Sequence, residues 1–271
     1  MTPQKLFLTI KRFLIISKAL IFNQYNLMIE YRAEIALWAL SGVLPLIMLA
    51  LWNEVYQKGN HPHIELNLSH YFISAFIVRQ FTAVWVMVSF EEDIVEGKLS
   101  PYLLQPVYPF WRYFFSHIAE QITRLPFVLL LIIILYLFNN DLFWSPSKIN
   151  LILGSISIFL AFIVRFLLHW VFSMLCFWTE KASALERLLM IPYLYLSGLI
   201  APLDLFPNGI KSFALITPFP YLMYFPSRLL IGDVRPFLFS FVILFIWGIL
   251  FYLLGIFFWK KGLEHYSGMG S

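Results

Sequence analysis

Residues 90–124, FEEDIVEGKLSPYLLQPVYPFWRYFFSHIAEQITR, separate two long apolar runs, and their reading decides the fold. Glu91, Glu92, Asp93, Glu96 and Lys98 gather at the start, and Gly97, Pro101, Pro106 and Pro109 punctuate the chain beyond them. Hydrocarbon solvates neither clustered charge nor broken backbone. The insert therefore lies outside the bilayer, as a short helix across the membrane face, and the runs on either side are spans.

Composition agrees. Of 271 residues, 61% are hydrophobic and 13% charged, which is too apolar for a soluble domain of this size. The excess of Phe, Tyr and Trp is read as lipid-facing surface and interfacial belts. The net charge of +4 reflects a bias in the loops, since no basic cluster is long enough to follow a phosphate backbone; nucleic acid is excluded as a partner. A single cysteine, Cys176, rules out an internal disulfide or a cysteine-based metal cluster. Lys11, Arg12 and Lys18 interrupt the N-terminal apolar stretch, and no small-residue cleavage site comes after it, so no cleavable signal is expected.

Outward from the insert, residues 4–30 form an amphipathic helix on the membrane surface, with Lys5, Lys11, Arg12 and Lys18 opposite Leu6, Ile10, Phe13, Leu20 and Ile21. Its polar arc also carries Leu8, Ile15 and Phe22, so protein as well as headgroups is expected to cover it. Spans are expected at about 35–52 and 71–90. The third must begin near 113–122, because the apolar run 126–138 is too short to cross alone. A fourth covers about 150–178, a short fifth 188–203 and the last about 236–259. Between the fifth and sixth, residues 204–235 are apolar yet repeatedly broken by proline, so this backbone must be buried in protein or line a cavity, as re-entrant or surface-lying helices. With the N-terminus inside, twelve Lys and Arg, Arg124 among them, fall on the cytoplasmic side against five outside. Six spans with both termini cytoplasmic satisfy that count.

The chemistry is sparse. No nucleotide-binding GxxxxGK[ST] loop occurs, so energy for transport must come from an ion gradient or another subunit. An insert that is acidic at its start and apolar beyond, at Leu99, Leu103 and Leu104, suits docking into a partner's groove. Arg79 lies in the second span and Arg165 in the fourth, with His169 one turn on, and no acidic residue is expected at their depth. These three are expected to pair structurally or to support a pathway at a dimer seam. His61, His63, Glu65 and His70 make an incomplete metal set and read as loop residues. Ser197-Gly198, His169 and Cys176 lack the spacing of a nucleophile and its base.

EDIVEGKLSPYLLQPVYPFWRY resembles the segment after the second span of ABC-2 type permeases, whose six-span bacterial subgroup shares E-G-x-L-x-x-x-L-L-x-P-x-x-P. SGLIAPLDLFPNGIKSFALITPFPYLMYFPSRLLIGD is similar to that subgroup's segment between spans five and six, and the likeness covers nearly the whole chain. The resemblance implies an all-α membrane protein, a single domain over 1–271: six transmembrane helices, a connecting helix at 4–30, a cytoplasmic coupling helix within 91–109, and proline-broken extracellular helices. It implies a permease subunit of an ATP-driven exporter, itself no enzyme, in a bacterial inner membrane. Cytoplasmic ABC ATPase subunits would carry ATP and Mg and dock on Glu91, Glu92, Asp93, Glu96, Gly97, Lys98, Leu99, Leu103, Leu104 and Pro106. The permease itself would bind no cofactor and would pair with a second permease subunit in a homodimer or heterodimer. An amphipathic cargo, hydrophobic or cationic, is expected from the aromatic content. The alternative is a gradient-driven secondary transporter or channel, which would show intramembrane carboxylates or two inverted halves.

Overall fold

A computed structural model describes residues 3–58, 67–179, 183–232 and 237–266. In chain order the helices are α1 (Pro3–Glu30), α2 (Arg32–Ser41), α3 (Leu44–Lys58), α4 (Leu68–Thr82), α5 (Val86–Val95), α6 (Leu99–Leu103), α7 (Pro109–Phe138), α8 (Lys148–Ser173), α9 (Ser183–Leu196), α10 (Asn208–Ile216), α11 (Phe219–Leu222), α12 (Tyr224–Ile231) and α13 (Phe237–His265). No strand occurs among the described residues.

Among the described residues, five stretches are long and apolar enough to cross a bilayer: Ala33–Val55, Leu68–Val95, Pro109–Phe138, Lys148–Phe177 and Leu238–His265. The third does begin well before its apolar run, and α7 continues through Pro126 without a break. The expected fifth span is different. Its helix, α9, has 14 residues, about 21 Å at 1.5 Å per residue, against a hydrocarbon core of about 30 Å. Five full-length spans stand where six are expected.

Two spans carry interruptions: Gly42 and Pro45 mark the first, and nothing in the sequence announces the second. The first breaks at Gly42–Val43 and the second at Ala83–Trp85. A break at membrane depth strands backbone groups that lipid cannot satisfy. Here side chains do so: the Gln80 amide donates to the Ala39 carbonyl at 2.9 Å, Arg124 donates to the Gln80 carbonyl at 3.2 Å, and the Trp85 N–H donates to His117 Nε2 at 2.9 Å. Arg124, expected among the cytoplasmic charges, is therefore misplaced in that tally. It is buried, paired with Glu120, and it stitches α4 to α7. Its removal shrinks the positive-inside bias without reversing it.

The same accounting explains the proline-broken region. The carbonyls of Ser197, Gly198 and Ile200 accept from the Tyr224 N–H at 3.0 Å, the Tyr71 hydroxyl at 2.7 Å and the Trp52 indole at 2.8 Å. α12 buries Phe225, Pro226, Ser227, Leu229 and Leu230 against α4 and α8. The backbone at 197–203 and α12 are thus held in protein, as expected of such a stretch, whereas α10 buries only Ala214 and lies at the surface.

α8 is the central post, touching α4, α5, α12 and α13. One core cluster joins it to α4, α12 and α13 near the broken region. A second, largely aromatic, fills the end nearer α6: Phe90, Phe166 and Trp170 are fully or almost fully buried, with the Phe90 ring 5.3 Å from Trp170 and Trp170 stacked 5.7 Å from Trp259. Much of the aromatic excess read as lipid-facing is therefore core, packed edge-on and offset as ring quadrupoles prefer. α1 runs along α7, Phe13 against Trp111 at 4.8 Å and Met28 against Thr123 at 3.6 Å, so protein covers one of its faces.

Candidate functional site

The insert folds as an elbow. α5 ends at Val95, and Gly97 comes two residues later with φ 71°, its N–H bonded to the Ile94 carbonyl at 3.1 Å. This left-handed glycine stops the helix and turns the chain, a conformation that a side chain would strain. α6 then lies against the bundle. Leu99 is 0% exposed in the aromatic cluster, Ser100 and Tyr266 share a hydrogen bond of 2.9 Å, and the Arg112 guanidinium sits 3.8 Å from the Tyr102 ring centroid. Within α5, just before Val95, the Tyr113 hydroxyl donates to Asp93 at 2.6 Å.

These contacts divide the expected docking residues. Leu99 points wholly inward, and Glu91, Asp93 and Leu103 are half-buried. Glu92, Glu96, Lys98, Leu104 and Pro106 are exposed, joined by Val95, Pro101 and Gln105, which were not expected from the sequence to form part of this face. Leu104 is 89% exposed among the described residues, an apolar side chain at the end of α6. Glu96 and Lys98 form an exposed ion pair, and that hydrogen bond lifts the Lys98 pKa above the ordinary lysine value.

A second constellation lies where the two interrupted spans meet α8 and α9. A cleft of about 80 Å³ is lined by Arg79, Arg165, His169, Glu186 and Tyr193, with Trp38 at its rim. Arg165 donates to the Tyr193 hydroxyl at 2.8 Å, and its guanidinium carbon is 4.1 Å from that ring's centroid. The structure thus brings together all three intramembrane residues selected from sequence. It also corrects the expectation that no carboxylate accompanies them, because Glu186, in the first turn of α9, faces the same cleft. The available signal was periodicity: Glu186, Met190 and Tyr193 recur at i, i+4 and i+7, one face of α9.

At the opposite end from the elbow, Asp204 accepts from Lys211 at 2.7 Å, from the Tyr224 hydroxyl at 2.8 Å and from Arg228, tying the turn before α10 to α10 and α12. Burial pushes its carboxyl up, but the bonds from Lys211 and Tyr224, with the charge of Arg228, outweigh this and hold it below the ordinary aspartate value.

Of the remaining candidates, His61, His63, Glu65 and Lys181 lie outside the described residues. His70 closes the first turn of α4, its N–H bonded to the Asn67 side chain at 3.2 Å. His169 Nδ1 and Ser197 Oγ each lack a hydrogen-bond partner among the described residues, so they are not bonded to one another as base and nucleophile.

The described residues form an all-helical membrane protein with a protruding elbow. The family described as ABC-2 family transporter protein matches residues 60–270. The chain belongs to that family. No curated protein matched it.

Proposed function

We propose that this chain is the permease subunit of an ATP-driven exporter, worked by a separate ATPase that docks on the elbow from the cytoplasm. The single observation that carries this reading is the elbow itself: a glycine-turned short helix anchored by Leu99, Ser100 and Tyr102 while Leu104 stands 89% exposed. A tip firmly tied to the bundle transmits a push, and an exposed apolar tip flanked by Glu92, Glu96 and Lys98 suits a groove with polar edges. Members of this family generally act as dimers with ATPase subunits. In this proposal α9 and the bends after it complete a sixth crossing, both termini are cytoplasmic, and the Asp204 clamp closes the outer side. The exposed apolar faces around Trp38 and Met190 belong to the seam with a second permease.

The test uses inside-out membrane vesicles carrying the full chain and its natural neighbours. ATP should drive accumulation of an amphipathic dye that persists when ionophores collapse every ion gradient. Accumulation that tracks the gradient and ignores ATP would make the chain a secondary transporter.

A further inference from the structure

We propose that the cleft between α2, α4, α8 and α9 binds the acidic headgroup of an amphiphile, a phosphate or carboxylate held between Arg79 and Arg165 with its apolar chain outside the cleft. In taking this molecule as cargo, the inference rests on the permease reading; in taking the site as anionic, it does not.

The charges come first. Arg124 is balanced by Glu120, which leaves Arg79 and Arg165 facing one carboxylate, Glu186, among the described residues. Neither arginine reaches it closely enough for an ion pair. Arg165 spends one donor on Tyr193, while its Nε is buried with no hydrogen-bond partner among the described residues. His169 is 7% exposed and its Nδ1 is likewise unpartnered. A buried guanidinium N–H without an acceptor is costly, and guanidinium donors match the two oxygens of a carboxylate or phosphate. An oxyanion in the cleft would meet the guanidinium groups of Arg79 and Arg165 that line it.

Shape selects the class of ligand. About 80 Å³ takes a small headgroup and not a whole amphiphile. The rim is apolar and open: Trp38 is 43% and Met190 47% exposed. An acyl or aromatic tail would leave the cleft over these residues into the apolar seam proposed with a second permease. A cationic amphiphile, expected from aromatic content alone, would instead meet two guanidiniums.

The probe is radiolabelled dodecyl phosphate, with dodecyltrimethylammonium as competitor, measured by equilibrium binding to the full chain in phosphatidylcholine nanodiscs. One saturable site is expected, with no competition from the cation. R79Q and R165Q should each weaken binding by about tenfold or more, as loss of a charged hydrogen bond implies. E186Q removes the opposing charge and should tighten binding several-fold, a gain that misfolding cannot imitate. Binding by R79Q and R165Q at the wild-type level, or weaker binding by E186Q, would overturn the site. Phosphatidylglycerol added to the nanodiscs separates the sources. If it displaces the probe, the occupant is bilayer lipid and the cargo assignment fails; undiminished binding supports cargo. Because the assay contains neither ATP nor partner, failure of ATP-driven transport would leave its result standing.

Discussion

Leu99 and Leu104 stand five residues apart on the elbow and should answer substitution in opposite ways. Leu99 is wholly buried beneath α6, within the cluster that holds Phe90 and Tyr113. Truncating a buried leucine to alanine costs about 2–5 kcal/mol, through lost transfer energy and the cavity left behind. Leu99→Ala should therefore lower the thermal unfolding midpoint of the detergent-solubilised protein and detach α6. Leu104 is 89% exposed, so Leu104→Asp should change stability by no more than about 0.5 kcal/mol. Its cost falls on docking. A leucine buried in a partner's groove is worth about 1.5–3 kcal/mol, so its loss weakens the complex by roughly tenfold to a hundredfold. Fluorescence-detected size-exclusion after a temperature series reads stability, and retention of an ATPase subunit on the tagged permease reads docking. If Leu104→Asp destabilises the chain as much as Leu99→Ala, or keeps its ATPase undiminished, the division of the elbow into anchor and docking face is wrong.

The packing sets three further outcomes. Arg124→Met leaves Glu120 without its buried partner and the Gln80 carbonyl without a donor, and should cost about 3–5 kcal/mol in thermal unfolding; Glu120→Gln combined with it should recover part of that loss. Gly198 has φ 86° with the Tyr71 hydroxyl against it, so Gly198→Ala should cost at least about 1–2 kcal/mol, whereas Gly209→Ala, which meets open space, should be near neutral by the same assay. Asp204 has a depressed pKa, so its contribution is complete above the unfolded value of about 3.9 and drains away as pH falls through the folded one. Proteolysis within residues 203–231 should therefore stay slow at neutral and mildly acid pH and accelerate only below about pH 4. Asp204→Asn should be cut faster at neutral pH and show little further acid dependence.

The spans and the elbow were legible because their signals are local. Uninterrupted apolar runs, an acidic turn ending in Gly97, and prolines from Pro202 onward each report directly on solvent and backbone geometry. The features that escaped depend on partners distant in sequence. Nothing near Ala83 announces a break, because the compensation comes from His117 and Arg124, more than thirty residues away. Arg124 looked like a loop charge for the same reason: its carboxylate, Glu120, was within one helical turn, but its burial comes from packing against α4. Phe166 and Trp170 could not be told from lipid-facing aromatics, since hydropathy is the same whether a ring meets lipid or another ring. The cleft was half visible. Arg79, Arg165 and His169 stood out as ionisable groups in apolar runs, while Glu186 sits at the start of a short helix, outside any such run.

A photo-crosslinking amino acid distinguishes an elbow that carries a nucleotide-binding subunit from one that does not. One copy is placed at Leu104 and, in a separate protein, one at Phe138, which is 87% exposed at the far end of α7. Irradiation of intact cells should join the Leu104 position to a protein carrying a GxxxxGK[ST] motif and leave the Phe138 position without that product. No such product from Leu104, or the same product from both positions, would contradict the account.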